Sequence, residues 1–184
     1  MIAQTYDWDW ATAEKEYRRA IQLNPNYATA HHGYADCLAL QGRFDEAFPQ
    51  IENARQLDPL LLIIATDYGA ILYFSRQYDR AIEQFRGVLE MEPEFPRAHM
   101  LVCVYAQKGL FAEALGDAEA YQRRENAPWS WVMIAYVSGA RATRQRPDLL
   151  SSDWNSQNGI ARWIPWRLPP PTSAWARTTR RWSS

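Results

Sequence analysis

A recurrence of 34 residues limits this chain more than any other property of it. Ala13, Ala47, Ala81 and Ala114 follow one another at spacings of 34, 34 and 33, and each opens a segment of the same layout. Four residues later stand Tyr17, Ile51, Phe85 and Ala118; seven later, Ala20, Ala54, Val88 and Tyr121; twelve later, Pro25, Pro59, Pro93 and Asn126. Positions 0, 4 and 7 share one face of a 3.6-residue helix, and the small side chain at position 0 lets a neighbouring backbone come close. The proline then stops the helix. A helix with one apolar face cannot bury it alone, so units of this period must stack on one another.

Upstream of each such helix lies a second apolar-periodic stretch: 28–40, 61–74 and 97–106. Each runs into a short turn, at Gln41, Ser75 and Gln107, where Gly42 and Gly109 can take the left-handed conformation that closes a helix. The expected fold class is therefore all-α, built from antiparallel helix pairs.

These alanine, aromatic and proline columns at a period of 34 resemble the tetratricopeptide (TPR) repeats, over about residues 1–140. The resemblance implies a right-handed solenoid with one concave side. The segment from Tyr6 to His32 also resembles the TPR region of some bacterial winged-helix transcription regulators and serine/threonine kinases. On the family pattern the first helix of each pair lines the concave side. The inward residues would be Thr29, His32, Gly33, Asp36 and Leu40, then Ile63, Asp67, Ala70, Tyr73 and Phe74, then His99, Met100, Cys103 and Gln107. The expected peptide-binding residues are His32, Asp36, Asp67, Tyr73, Phe74 and His99. Family members that hold the acidic C-terminus of heat-shock chaperones use Lys, Arg and Asn inward, because a terminal carboxylate needs charge-assisted donors. The residues here suit instead a helix or extended segment that presents apolar and basic groups.

Other chemistries find little footing. No apolar run approaches the roughly 20 residues of a membrane-spanning helix, and the start Met1–Gln4 lacks the basic and apolar parts of a secretory signal. A cytoplasmic protein is expected. Two cysteines, Cys37 and Cys103, sit two repeats apart, beyond disulfide reach, and read as reduced thiols. His31 and His32 diverge by about 100° on a helix, so a metal site built on them with His99 is not expected. His31 should pack between helices. Asp7 and Asp9 read as caps of the first helix, and Leu60 to Ile64 as a buried helix start. With no phosphate loop, GxSxG or HExxH, the chain reads as a non-enzyme without a cofactor.

The organisation expected is a TPR array over residues 1–140, comprising a half repeat, three repeats and the start of a fifth, followed by a poorly ordered tail over 141–184. Apolar faces left open at both ends would favour self-association; nucleic acid is not expected as a partner. Charge divides unevenly: residues 1–142 hold 13 Lys+Arg and 19 Asp+Glu, whereas 143–184 hold 7 Arg and 2 Asp. The last 42 residues also hold five Trp and five Pro without helical period. Re-read one base over with permissible codons, the stretch from Arg162 turns TPR-like, which suggests a frameshift near residues 139–143 and a truncated array. A fragment serving as sensor or assembly part of a bacterial signalling or transcription-regulator protein is the alternative to a free-standing interaction scaffold.

Overall fold

The computed structural model describes residues 9–125 and 128–145. They form eight α-helices and one 3₁₀ turn: α1 (Trp10–Leu23), α2 (Ala28–Leu40), α3 (Phe44–Leu57), α4 (Leu62–Phe74), α5 (Tyr78–Met91), a 3₁₀ turn (Pro96–Met100) leading into α6 (Leu101–Lys108), α7 (Phe111–Glu125) and α8 (Pro128–Gln145). No strand occurs among the described residues. The pairs α2–α3, α4–α5 and α6–α7 are the three full repeats. The α1 helix precedes them as a second helix, and α8 follows as a first helix.

Local chemistry sets the boundaries. Asp9 caps α1 by accepting a hydrogen bond from the Thr12 N–H at 3.0 Å. Within each pair the two helices are joined through one left-handed residue, at Gly42 (φ 76°), Arg76 (φ 64°) and Gly109 (φ 80°). Glycine is suited to that conformation; Arg76 adopts it because the repeat geometry demands the same turn at every step.

The alanine column is where the helices nest. Ala47, Ala81 and Ala114 are fully buried and Ala13 is nearly so, while Ile51, Phe85 and Ala118 fill the next position with no exposure. Burying a side chain the size of Ile51 or Phe85 contributes about 1.5–3 kcal/mol. At Gly69 the approach is so close that an added Cβ would lie 3.0 Å from the Phe85 ring.

The 33-residue step is absorbed in the 3₁₀ turn. His99 comes 68 residues after His31 and lies six residues beyond Pro93, as His31 lies six beyond Pro25; both rings are buried. By Gly109 the count is one short of Arg76 plus 34. A 3₁₀ turn has about 3.0 residues per turn against 3.6, so it rotates the chain further per residue and restores the register with one residue fewer.

First helices approach one another, α2 against α4 and α4 against the 3₁₀ turn, whereas α3 and α5 make no comparably close approach. A stack tighter on one side curves toward that side. The first helices thus line the concave face.

Two expectations are adjusted. Leu60 is exposed and Leu61 half-exposed, because the chain is still turning there and α4 begins at Leu62. The final helix continues past residue 140, where the array was expected to end, and runs unbroken through residues 139–143. Of the expected tail, 141–145 belong to α8 and the rest, including the stretch from Arg162 on which the frameshift reading depends, lies outside the described residues, as does Asp7 before residue 9.

Candidate functional site

Counting along the first helices, Asp36, Ala70, Cys103 and Tyr136 follow at spacings of 34, 33 and 33. They occupy equivalent places on α2, α4, α6 and α8 and form one row across the concave face. Ala70 and Cys103 are small and half-buried, which leaves room above them. Burial pushes the Cys103 thiol up to about 11, so it stays protonated and unreactive at neutral pH.

One end of the row is charged. His32 Nε2 lies 2.7 Å from Asp67 Oδ2 and 3.5 Å from Asp36 Oδ2, and Arg97 donates through Nη2 to Asp67 Oδ1 at 2.6 Å. Asp67 is 3% exposed, so both of its oxygens are engaged in a water-poor setting. Asp36 differs. Its side chain is 37% exposed and its one ion-pair contact among the described residues is the long one to His32. Burial, joined by the negative charge of Asp67, raises the Asp36 carboxyl to about 6. Burial pulls the His32 imidazole down, but the hydrogen bond it donates to Asp67 and the charge of Asp36 outweigh it and the net shift is upward.

The other end is aromatic. Tyr73 and Phe74 lie with ring centroids 5.2 Å apart, and Phe74 is 45% exposed. The Tyr136 hydroxyl lies close to Tyr73 and accepts from Gln107 Nε2 at 3.1 Å. Burial raises the Tyr73 hydroxyl well above its ordinary value, so it remains a donor.

The site residues read from the sequence are thus brought together in part. His32, Asp36 and Asp67 form one cluster; Tyr73 and Phe74 lie beside the other end of the row. His99 is a correction: it is 5% exposed and stacked on Tyr121 at 3.8 Å between helices. It repeats the position of His31, which is buried with its Nε2 2.9 Å from the Pro25 carbonyl oxygen. The two fall alike because both follow their prolines by six residues. Two participants escaped the sequence reading. Tyr136 could have been found by extending the 33-residue count from Cys103, and Arg97 by extending the 34-residue column of Thr29 and Ile63.

The donor atoms of His32, Asp36 and Asp67 lie within 4.8 Å of one another, a set that could hold a metal ion. Arg97 already compensates Asp67 there. No helix among the described residues is long and apolar enough to cross a membrane.

Residues 9–60 and 69–128 match the tetratricopeptide repeat, more than half of the chain. The chain belongs to the tetratricopeptide repeat family. Over 82 residues this TPR chain is 33% identical to Hsp70-Hsp90 organizing protein 3 of Arabidopsis thaliana, which is 45% of the chain and 15% of that relative. The TPR chain therefore spans a small part of the curated proteins it matches. Among solved structures it superposes on MamA with a TM-score of 0.62 at 16% identity, covering 76% of this chain and 84% of that one. PilF of Pseudomonas aeruginosa gives a TM-score of 0.62 at 22% identity, covering 79% and 69%. These two likenesses concern the fold alone.

Proposed function

We propose that this TPR array is a protein-interaction scaffold that holds a peptide segment of a partner in the concave face of its first helices, and that it catalyses no reaction. The observation that carries this reading is the row Asp36, Ala70, Cys103 and Tyr136. Its small middle allows a ligand backbone to come near, and its charged and aromatic ends offer polar and apolar holds. Regular recurrence supports the same view, because each added repeat extends one continuous surface and encloses no catalytic pocket.

The Arabidopsis relative is named for organizing Hsp70 and Hsp90. That role does not transfer simply to this groove. A chaperone's terminal carboxylate calls for cationic donors, yet the cluster here presents Asp36, and its one arginine, Arg97, is tied to Asp67. A segment with an acidic end would meet repulsion at this end of the row.

Photocrosslinking tests the proposal. With p-benzoylphenylalanine at position 70, on the groove floor, irradiation of the protein in extract from its host should yield a discrete adduct. The same group at position 87, on α5 of the outer layer where open space surrounds the glycine, should yield none. Adducts from 87 alone would defeat the reading.

A further inference from the structure

The two groove carboxylates have opposite assignments in the structure, and the division identifies the chemistry of the occupant. Asp67 is a supporting residue. It is buried, and each of its oxygens already accepts a hydrogen bond, from His32 and from Arg97. Asp36 is the reverse: it is on the row that crosses the groove, over a third exposed, with the 3.5 Å approach of His32 as its compensation.

The charges around Asp36 come from three sides. Its own helix supplies His32; α4 supplies Asp67, and Arg97 at the start of the 3₁₀ turn completes the set. From α1 the Tyr17 ring faces it without charge at neutral pH. Two carboxylates therefore meet one permanent cation, and that cation is bonded to Asp67. With the His32 imidazole neutral, one positive charge placed at Asp36 would balance the cluster. Ala70, one repeat along, projects no bulk that would keep a side chain from reaching it.

We propose that Asp36 is the specificity-determining residue of the groove and takes the ammonium or guanidinium of a lysine or arginine in an extended partner segment, with the segment continuing over Ala70 and Cys103 toward Tyr73 and Phe74. This rests on the peptide-binding reading above and adds the class of side chain. A charge-assisted bond in a partly desolvated groove outweighs a neutral one, so the partner position opposite Asp36 discriminates strongly between lysine or arginine and any neutral residue. The occupant is a basic peptide rather than a free divalent ion, because the Arg97 guanidinium stands against the same carboxylate pair and a doubly charged ion would be brought close to it.

Selection of random dodecapeptides displayed on phage, against the full chain in chelator-containing buffer, tests this. Selected peptides should share a lysine or arginine at one position flanked by apolar residues. A synthetic selected peptide should bind Asp36→Asn at least tenfold more weakly, and its version with norleucine at the basic position should bind both proteins equally. Thermal unfolding of Asp36→Asn, with Asp36→Ser as a second variant, checks that the fold is retained. A consensus without a basic residue, or equal binding to Asp36→Asn and the parent, overturns the role of Asp36 while leaving the groove as the peptide site. Recovery of peptides only on adding Zn²⁺ overturns it too. If crosslinking from position 70 also fails and no peptide is selected, the groove reading itself falls.

Discussion

The carboxylate of Asp67, in α4, holds the imidazole of His32, in α2, at 2.7 Å, and thereby ties one repeat to the next across 35 residues of sequence. Arg97, 30 residues further on, grips the other oxygen of the same carboxylate. One buried side chain thus links three successive first helices on the concave side.

Removing that link should be costly. Asp67→Ala leaves His32 and Arg97 without their shared partner, and breaking a buried pair by removing one member costs about 3 kcal/mol. Urea unfolding should register the loss as a lower midpoint with an unchanged slope. A variant as stable as the parent would contradict the supporting role of Asp67.

Asp36 should behave in the opposite sense. Its folded pKa, about 6, lies above the ordinary 3.8, so the folded chain binds more protons than the unfolded one between those values and stability falls as pH rises through them. His32, also raised from 6.5, adds stability below that value which is lost as pH climbs through its folded pKa. Asp36→Asn should therefore raise Tm at pH 8 by about 2 °C, a small effect because solvent reaches the site, and bring no gain near pH 4. Differential scanning calorimetry at the two pH values makes the comparison.

His99 opposes this trend. Burial holds its pKa below 6.5, so its contribution is present above that pH and lost as pH falls through it toward the folded value. Replacing His99 with Leu removes the partnerless Nε2 and should flatten the loss of Tm between pH 7 and pH 5.

The nesting and the turn geometry can be probed separately. Gly69→Ala drives a Cβ to 3.0 Å from Phe85 and should destabilise by about 1–2 kcal/mol, since overpacking a close helix contact forces both elements to shift. Arg76→Gly should stabilise by about 0.5–1 kcal/mol, because the left-handed φ of 64° is strained for arginine and free for glycine. Chemical denaturation of the pair should move the midpoint in opposite directions.

The sequence announced the helix pairs through the alanine column, because a small residue at a fixed interval is forced wherever two helices touch closely. Ala47 and Ala81 are fully buried for that reason. The groove was only partly legible. Family spacing located His32, Asp36 and Asp67 on one side of the chain, but spacing alone treated the two aspartates as equals. Their difference comes from Arg97, which continues the column of Thr29 and Ile63 but whose pairing with Asp67 only the fold reveals. His99 was misjudged because the missing residue falls just after it: it keeps the buried place of His31, while Cys103 and Gln107 beyond it have shifted by one. The turn at Ser75 has no glycine, so the left-handed residue there, Arg76, shows itself only in the backbone.

The most direct test of a concave binding face compares two substitutions that place the same bulk and charge on opposite layers of the stack. Fluorescence anisotropy of a labelled, selected peptide should show at least a tenfold loss of affinity for Ala70→Arg and parent-like affinity for Gly87→Arg. Undiminished binding by Ala70→Arg together with loss in Gly87→Arg would put the partner on the outer helices and contradict the account.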